Sequence, residues 1–218
     1  MRLPATSGIQ FKLPRRKVDN PYMSHCEISY SFDMPTLATP VARPAPAKIV
    51  YLMRGLPSCG KSTTAKKIVG NTGIICETDE YFYKHVGDDP NVYTYDDNLM
   101  DAARAWNLAR FKQAVDEGIS PIVVDRGNSL SIESKDYAVY AIERGYRVEL
   151  KEPESEWWQE IRVLLKYKNL TRPALYEWAE RLAQMNQSTH RTSVRTIKRW
   201  MDNWRWDVTI QDILNYEE

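Results

Sequence analysis

Gly55-Leu56-Pro57-Ser58-Cys59-Gly60-Lys61-Ser62 satisfies every fixed position of the pattern G-x-x-x-x-G-K-[ST]. Directly before it, the apolar run Ile49-Val50-Tyr51-Leu52-Met53 predicts a buried parallel strand, and directly after it Thr63 to Val69 predicts a helix. Strand, glycine loop and helix in that order form a cradle for phosphate. Gly55 and Gly60 let the main chain wrap close to an anion with its N–H groups turned inward, and the helix N-terminus faces the same charge. Gly55, Pro57, Ser58, Cys59, Gly60, Lys61, Ser62 and Thr63 are therefore the candidate nucleotide contacts. Lys61 would reach the β- and γ-phosphates of ATP and the Ser62 hydroxyl would hold Mg²⁺. The bland alternative, a tight strand-to-helix turn with an incidental lysine, leaves the match of both flanks unexplained.

The chain has 218 residues, room for one α/β domain with a substantial core and a tail. Its formal charge is +1, so no global excess points to nucleic acid or to a membrane surface. No apolar run has the roughly 18 residues of a membrane span, and the N-terminus lacks the apolar stretch of a secretory signal. A soluble, cytoplasmic protein without a membrane partner is expected. The three cysteines, Cys26, Cys59 and Cys76, share no metal-like spacing. Cys59 stands out because a helix N-terminus beside the loop could lower its thiol pKa.

Residues 1–47 hold seven of the twelve prolines and the basic cluster Arg15-Arg16-Lys17. They read as a mostly disordered, Pro-rich tail, with a short strand over Ile28 to Phe32 as the one ordered possibility. Residues 48–218 read as the folded domain. Gly73 to Thr78 predicts a second strand that delivers Asp79 at its carboxyl end, where open α/β sheets bind ligands. The segment from Glu77 to Asp101 holds eight acids and five tyrosine or phenylalanine rings, and reads as a solvated surface segment. A helix follows from about Asn98 to Glu117, with Leu99, Ala102, Trp106 and Ala109 on its apolar stripe and Trp106 in the core. Pro121 to Asp125 predicts a third strand, again ending on an aspartate. Ser131 caps a helix to Arg144, and Tyr146 to Leu150 alternates as a fourth strand.

From Ser155 onward the pattern is helical: Glu156 to about Lys168, a helix starting near Pro173 after Thr171, and a helix from Ser193 to about Trp206. Val208-Thr209-Ile210 is a weak candidate for a fifth strand. Between Ile161 and Trp200 nine Lys or Arg face two acids, a local balance of +7. That segment, about 161–200, reads as solvated helix faces, a basic lid over a triphosphate, or a track for a polyanion. Strands alternating with helices imply a P-loop kinase-type three-layer α/β/α domain with a mainly parallel sheet.

Several chemistries are excluded by what is missing. There is no N-K-x-D for guanine and no long apolar strand ending Asp-Glu; and with no D-x-D-x-T and no second H-x-T beside His190-Arg191-Thr192, a kinase here would be unaccompanied by phosphatase or phosphodiesterase activity. What remains is phosphoryl transfer by positioning and charge neutralisation. Asp79 is placed to take the proton of an attacking hydroxyl, and Asp125 to hold Mg²⁺ through water. For either one, capping the following segment is the structural alternative. Lys61, Asp79 and Asp125, with Arg172 and Arg191 from the basic segment, make up the candidate catalytic set. Ser62, Asp79 and Asp125 are the candidate magnesium ligands.

Gly55-Leu56-Pro57, Thr78-Asp79-Glu80-Tyr81-Phe82, Trp106-Asn107, Gly118 to Asn128, Tyr137-Ala138-Val139, Glu152-Pro153 and Asp207-Val208-Thr209, in that order, resemble polynucleotide-kinase-type P-loop domains of the zeta-toxin/AAA-type ATP-binding group. The closest resemblance is to their small ubiquitin-ligase-binding relatives, which carry D-D-F-F and D-N-T-N where this chain has Asp79 to Phe82 and Asp125 to Asn128. It covers about Lys48 to Leu214. It implies that Asp79 is a general base toward a polynucleotide 5′-hydroxyl, that ATP and Mg²⁺ are bound, and that Asp125 and Asn128 serve the phosphate site or the structure. There are departures. Phe82 stands where those kinases place an arginine, and Leu182-Ala183-Gln184-Met185-Asn186 lacks both arginines of L-A-R-R-N, with Arg172 and Arg181 lying upstream instead. Three functions follow: a kinase acting on a single-stranded or end-containing nucleic acid, a kinase of a small metabolite, or a slow ATP-binding module that regulates a partner.

Overall fold

The computed structural model describes residues 47–87, 89, 92–127, 129–187 and 191–217, all within the compact unit Pro44–Glu218. The expectations for the tail, for the strand over Ile28 to Phe32, and for Cys26, Asn128 and His190 lie outside the described residues.

The elements in chain order are β1 (Ile49–Met53), α1 (Lys61–Val69), β2 (Ile74–Cys76), α2 (Glu80–Lys84), a 3₁₀ turn (Asp97–Leu99), α3 (Met100–Asp116), β3 (Ile122–Val124), α4 (Ile132–Glu143), β4 (Arg147–Lys151), α5 (Glu156–Lys166), α6 (Lys168–Met185), α7 (Val194–Asp202) and α8 (Ile210–Leu214). The four strands form one sheet in the order β2-β3-β1-β4, and every pairing is parallel. Because side chains alternate across a strand, each sheet face has its own core. Val50 and Leu52 of β1, Ile122 and Val124 of β3 and Val148 of β4 meet Phe111, Tyr137 and Ile213 from α3, α4 and α8. Met53 and Val123 point the other way, onto Ala65 and Val69 of α1. The result is the three-layer α/β/α domain that the alternation implied.

Small polar residues set the helix starts. The hydroxyls of Ser131, Ser155 and Ser193 accept from Ser134 N, Trp158 N and Thr196 N, each satisfying a helix N–H that has no partner within its own helix. Several sequence expectations are corrected here. Val208 to Ile210 is not a strand: Thr209 forms a reciprocal capping box with Asp212 and opens α8. The helix expected near Pro173 begins earlier, with Pro173 inside α6, because the Thr171 hydroxyl donates to the carbonyls of Leu164 (2.7 Å) and Tyr167 (3.1 Å) and does not cap a new start. α7 stops at Asp202, where Lys168 Nζ takes the carbonyl of Asp202 at 2.6 Å and that of Trp204 at 2.9 Å. Trp106 is only half-buried. The buried stripe of α3 is Ala103, Asn107, Phe111 and Ala114, one position on from the one expected. That leaves Trp106 against Tyr81 and the Arg110 guanidinium.

A third core joins α5, α6 and α7. Trp158, Ile161, Leu165, Leu175, Leu182, Ile197 and Met201 cluster there, and Leu56 and Cys59 enter the same cluster from the loop after β1. The helical cluster is thus packed directly on the back of that loop. Among the described residues no helix is long and apolar enough to cross a membrane.

Candidate active site

The sheet's carboxyl edge opens into a cavity of about 970 Å³. Its floor is the loop from Arg54 to Gly60. A Cβ on Gly55 would lie 2.7 Å from Cys59 Sγ and 3.1 Å from the Pro153 ring, so the chain can pass there only as glycine. Gly60 has φ +89 and Ser58 φ +54, a left-handed turn that draws the main chain around an open centre. Other elements fix this shape. Trp157 Nε1 donates to Ser58 O (3.1 Å), the Ser155 hydroxyl to Cys59 O (2.8 Å), and Asn186 Nδ2 to Ser58 Oγ (3.3 Å). Asn186 is itself fully buried.

Lys61 Nζ donates to Leu56 O at 2.8 Å, arching over the loop. Ser62 and Thr63 line the cavity at the first turn of α1, and Glu77, Asp79 and Asp125 line it from the ends of β2 and β3. Asp79 is the N-cap of α2, yet its side chain makes no capping bond. Instead it accepts from the Tyr93 hydroxyl at 3.4 Å. Behind it, the buried Asn107 donates to Tyr137 OH at 3.0 Å and to the Thr78 hydroxyl at 3.4 Å, holding the end of β2. Asp125 is 6% exposed, and its N–H donates to Cys76 O. The loop fits a phosphate group. Among the described residues there is no group of three or more His, Cys, Asp or Glu that could hold a metal ion; Mg²⁺ at Ser62, Asp79 or Asp125 would complete its shell with water and phosphate oxygens.

Of the expected catalytic set, Lys61, Asp79 and Asp125 line this one cavity. Arg172 does not: it pairs with Asp202 at 3.5 Å on the helical surface. Arg191 is exposed, with φ +49, and donates its N–H to Asn186 O, next to the lining residue Thr192. Cys59 does not have an activated thiol. Burial in the helical cluster pushes it up, against a smaller opposing pull from Lys61.

Residues 50–162, more than half of the chain, match the AAA domain family. The chain belongs to that family. The AAA domain here is of the P-loop kinase-like kind, as its sheet and loop indicate. Over 113 residues, 51% of this chain, it is 34% identical to NEDD4-binding protein 2 of Homo sapiens, and the matched stretch amounts to 6% of that protein.

Several lining residues of this AAA domain escape the sequence reading. Glu77 is one: burial, then the charges of Asp125, Asp79 and Glu80, push its carboxyl up to about 7. Tyr93 and Tyr95 are others, from the segment expected to be merely solvated. Phe82 is fully buried, with its ring against theirs. Arg54 is a further one, 4% exposed. It pairs with Glu152 at 3.7 Å, stacks 4.1 Å from the Trp204 ring and donates to Arg205 O. Burial brings its pKa down to about 10 despite Glu152. The position of Arg54 directly before Gly55 was the available signal for its role. Trp200, Trp204 and Arg205 had none, since only the fold brings their segment to the loop.

Proposed function

We propose that this domain transfers a phosphoryl group from ATP, with Mg²⁺, to a hydroxyl acceptor, and that the acceptor is the 5′-hydroxyl of a nucleic-acid end. One observation carries the reading: Lys61 of the phosphate loop and Asp79, whose side chain does not cap its helix, line one cavity. Bound ATP would supply the phosphoryl group, and Mg²⁺ would offset its charge.

In this reading the loop N–H groups and Lys61 orient the triphosphate, with Ser62 and Asp125 serving the metal. The Tyr93 hydroxyl orients Asp79, which takes the proton from the attacking hydroxyl. Tyr93, Tyr95, Trp200 and Trp204 offer ring faces on the acceptor side, which suits bases better than a small aliphatic metabolite. α5 to α7 wall the cavity, and of the two expected arginines Arg191 adjoins that wall. The relative's name says that it binds NEDD4. A nucleotide-regulated binding module is what would remain if no transfer occurs.

The test is incubation with γ-labelled ATP, Mg²⁺ and a 5′-hydroxyl oligonucleotide. Label should appear on the oligonucleotide, and Asp79→Asn should lower its rate at least about a hundredfold while ATP binding persists. Full-rate transfer by Asp79→Asn, or no transfer by the unaltered protein, refutes the assignment.

A further inference from the structure

We propose that the corner where α5 meets α6 docks an acidic amphipathic helix of a partner protein, its apolar residues against Val163, Tyr167, Leu170 and Trp206 and its carboxylates toward Lys166. The proposal is independent of phosphoryl transfer. None of these five residues lines the cavity, and the stretch that matches the AAA domain family ends at residue 162.

Val163, Tyr167 and Leu170 recur at i, i+4 and i+7, the spacing of one helix face. That face looks outward: the three are 59%, 52% and 85% exposed. Trp206, 51% exposed, joins them from the segment after α7. A hollow of about 340 Å³ lies there, lined by Leu165, Tyr167, Leu170 and Trp206. A single exposed leucine on a surface is ordinary. Four large apolar side chains around a concavity, two of them aromatic, have the composition of a docking site.

The hollow exists before any partner arrives. At the joint of the two helices, Tyr167 O accepts from the Leu170 N–H at 2.8 Å and from the Thr171 hydroxyl at 3.1 Å. Lys168 Nζ donates to the carbonyls of Asp202 and Trp204, which fastens the segment carrying Trp206 to the same corner. A surface already held in shape loses little conformational freedom on binding.

Charge selects the occupant. No Asp or Glu stands between Glu160 and Glu177, whereas Arg162, Lys166, Lys168 and Arg172 all fall within that run. Arg162 and Arg172 already face Glu152 and Asp202, and Lys168 is engaged by its two carbonyls. Lys166 differs. Its ammonium lies over the exposed rings of Trp206 (4.9 Å) and Tyr167 (5.5 Å), and among the described residues it pairs with no carboxylate. A cation set in an apolar patch is complementary to a carboxylate flanked by apolar side chains, which an acidic helix laid across the hollow supplies. A second copy of this chain would instead bring the same cations against themselves.

The probe is a fluorescently labelled helical peptide of roughly 15 residues, with leucines along one face and glutamates beside them. Its twin carries lysine at every glutamate. Binding to the full chain is followed by fluorescence anisotropy, and Mg²⁺-ATP binding and the melting temperature are measured in parallel. The unaltered protein should bind the acidic peptide about tenfold more tightly than the twin. Leu170→Ser should weaken the acidic peptide by about tenfold and leave ATP binding and melting unchanged, and Lys166→Glu should reverse the preference between the peptides. Equal binding of the two peptides by the unaltered protein overturns the proposal, as does a Leu170→Ser variant that binds the acidic peptide at full strength. Leu170-dependent binding to phosphatidylglycerol vesicles in place of the acidic peptide would overturn it in favour of a lipid surface, and a dimer in sedimentation that Leu170→Ser dissociates would overturn it in favour of a second copy.

Discussion

Leu56→Ala tests whether the phosphate loop is part of the helical core. Leu56 is 1% exposed and sits in the cluster with Trp158, Ile161 and Leu182, although it lies between two glycines of a loop. Removing a fully buried leucine side chain costs about 2–5 kcal/mol, because its transfer energy is lost and a cavity remains. In a domain of this size each kcal/mol moves the midpoint of thermal unfolding by about 2–4 °C, so a fall of roughly 4–20 °C is expected. Leu170→Ala is the matched control: the same side chain is 85% exposed on α6, and its removal should shift the midpoint by no more than about 2 °C. Differential scanning fluorimetry of the two variants, with and without Mg²⁺-ATP, is the assay. Leu56→Ala should also bind ATP more weakly, since the carbonyl that receives Lys61 belongs to the same residue. If Leu56→Ala melts within 2 °C of the unaltered protein, the loop does not pack as described and the account of its shape fails.

Gly73→Ala should destabilise by about 1–3 kcal/mol in urea titration, since its Cβ would stand 2.4 Å from Pro121 O, a backbone atom that cannot turn away. Glu77 gives a pH signature. Its folded-state pKa, pushed up to about 7, exceeds the ordinary value, so the folded protein takes up a proton that the unfolded chain lacks. That contribution is complete below about pH 4.5 and is lost as pH rises through 7. In nucleotide-free, metal-free protein the stability gap between the unaltered chain and Glu77→Gln should therefore shift against the unaltered chain as pH rises from about 4.5 to about 7 and level off above that, and a pH-independent gap would remove the assignment. Oligonucleotide affinity should fall with salt along a logarithmic slope no steeper than about −4. The nine basic residues of 161–200, all acting on phosphates, would give about −6, but Arg162, Arg172 and Lys198 already face Glu152, Asp202 and Glu180.

Elements whose cause is local were legible in the sequence. The first three strands announced themselves as short apolar runs and the fourth by alternation, Ser131 and Ser193 marked helix starts by capping chemistry, and the glycine loop carried its spacing openly. Expectations that depended on partners from elsewhere in the chain did not fare as well. Val208 to Ile210 is apolar enough for a strand, but the Thr209–Asp212 capping box makes it a helix start. The stripe of α3 was displaced by one residue because the buried Asn107, holding Thr78 and Tyr137, is polar and drops out of an apolar count. At the site, Glu77 and Tyr93 were lost in a run of acids and tyrosines whose composition resembles that of a solvated surface. Asp79 was marked by its place directly after a predicted strand, whereas nothing local set Glu77 or Tyr93 apart from the other acids and tyrosines of that run.

The basic segment is where composition misleads most, and the reason lies in packing. Its +7 balance was counted within 161–200, but the carboxylates that answer it come from outside that window: Glu152 reaches Arg162 at 2.8 Å and Asp202 reaches Arg172 at 3.5 Å. Other cations lie on rings, as Lys166 does over Trp206, Arg181 over Trp178 and Lys198 over Tyr176. These pairings fasten α5, α6 and α7 to one another and to the strand end at Glu152, and the helices in turn fasten the phosphate loop through Leu56, Cys59 and Asn186. A hinged cover would have to tear the two loop side chains from the core with every opening, at the cavity cost already estimated for Leu56. This packing suits a brace that holds the loop in shape better than a hinged cover, and preorganised donors are those that stabilise developing charge most effectively.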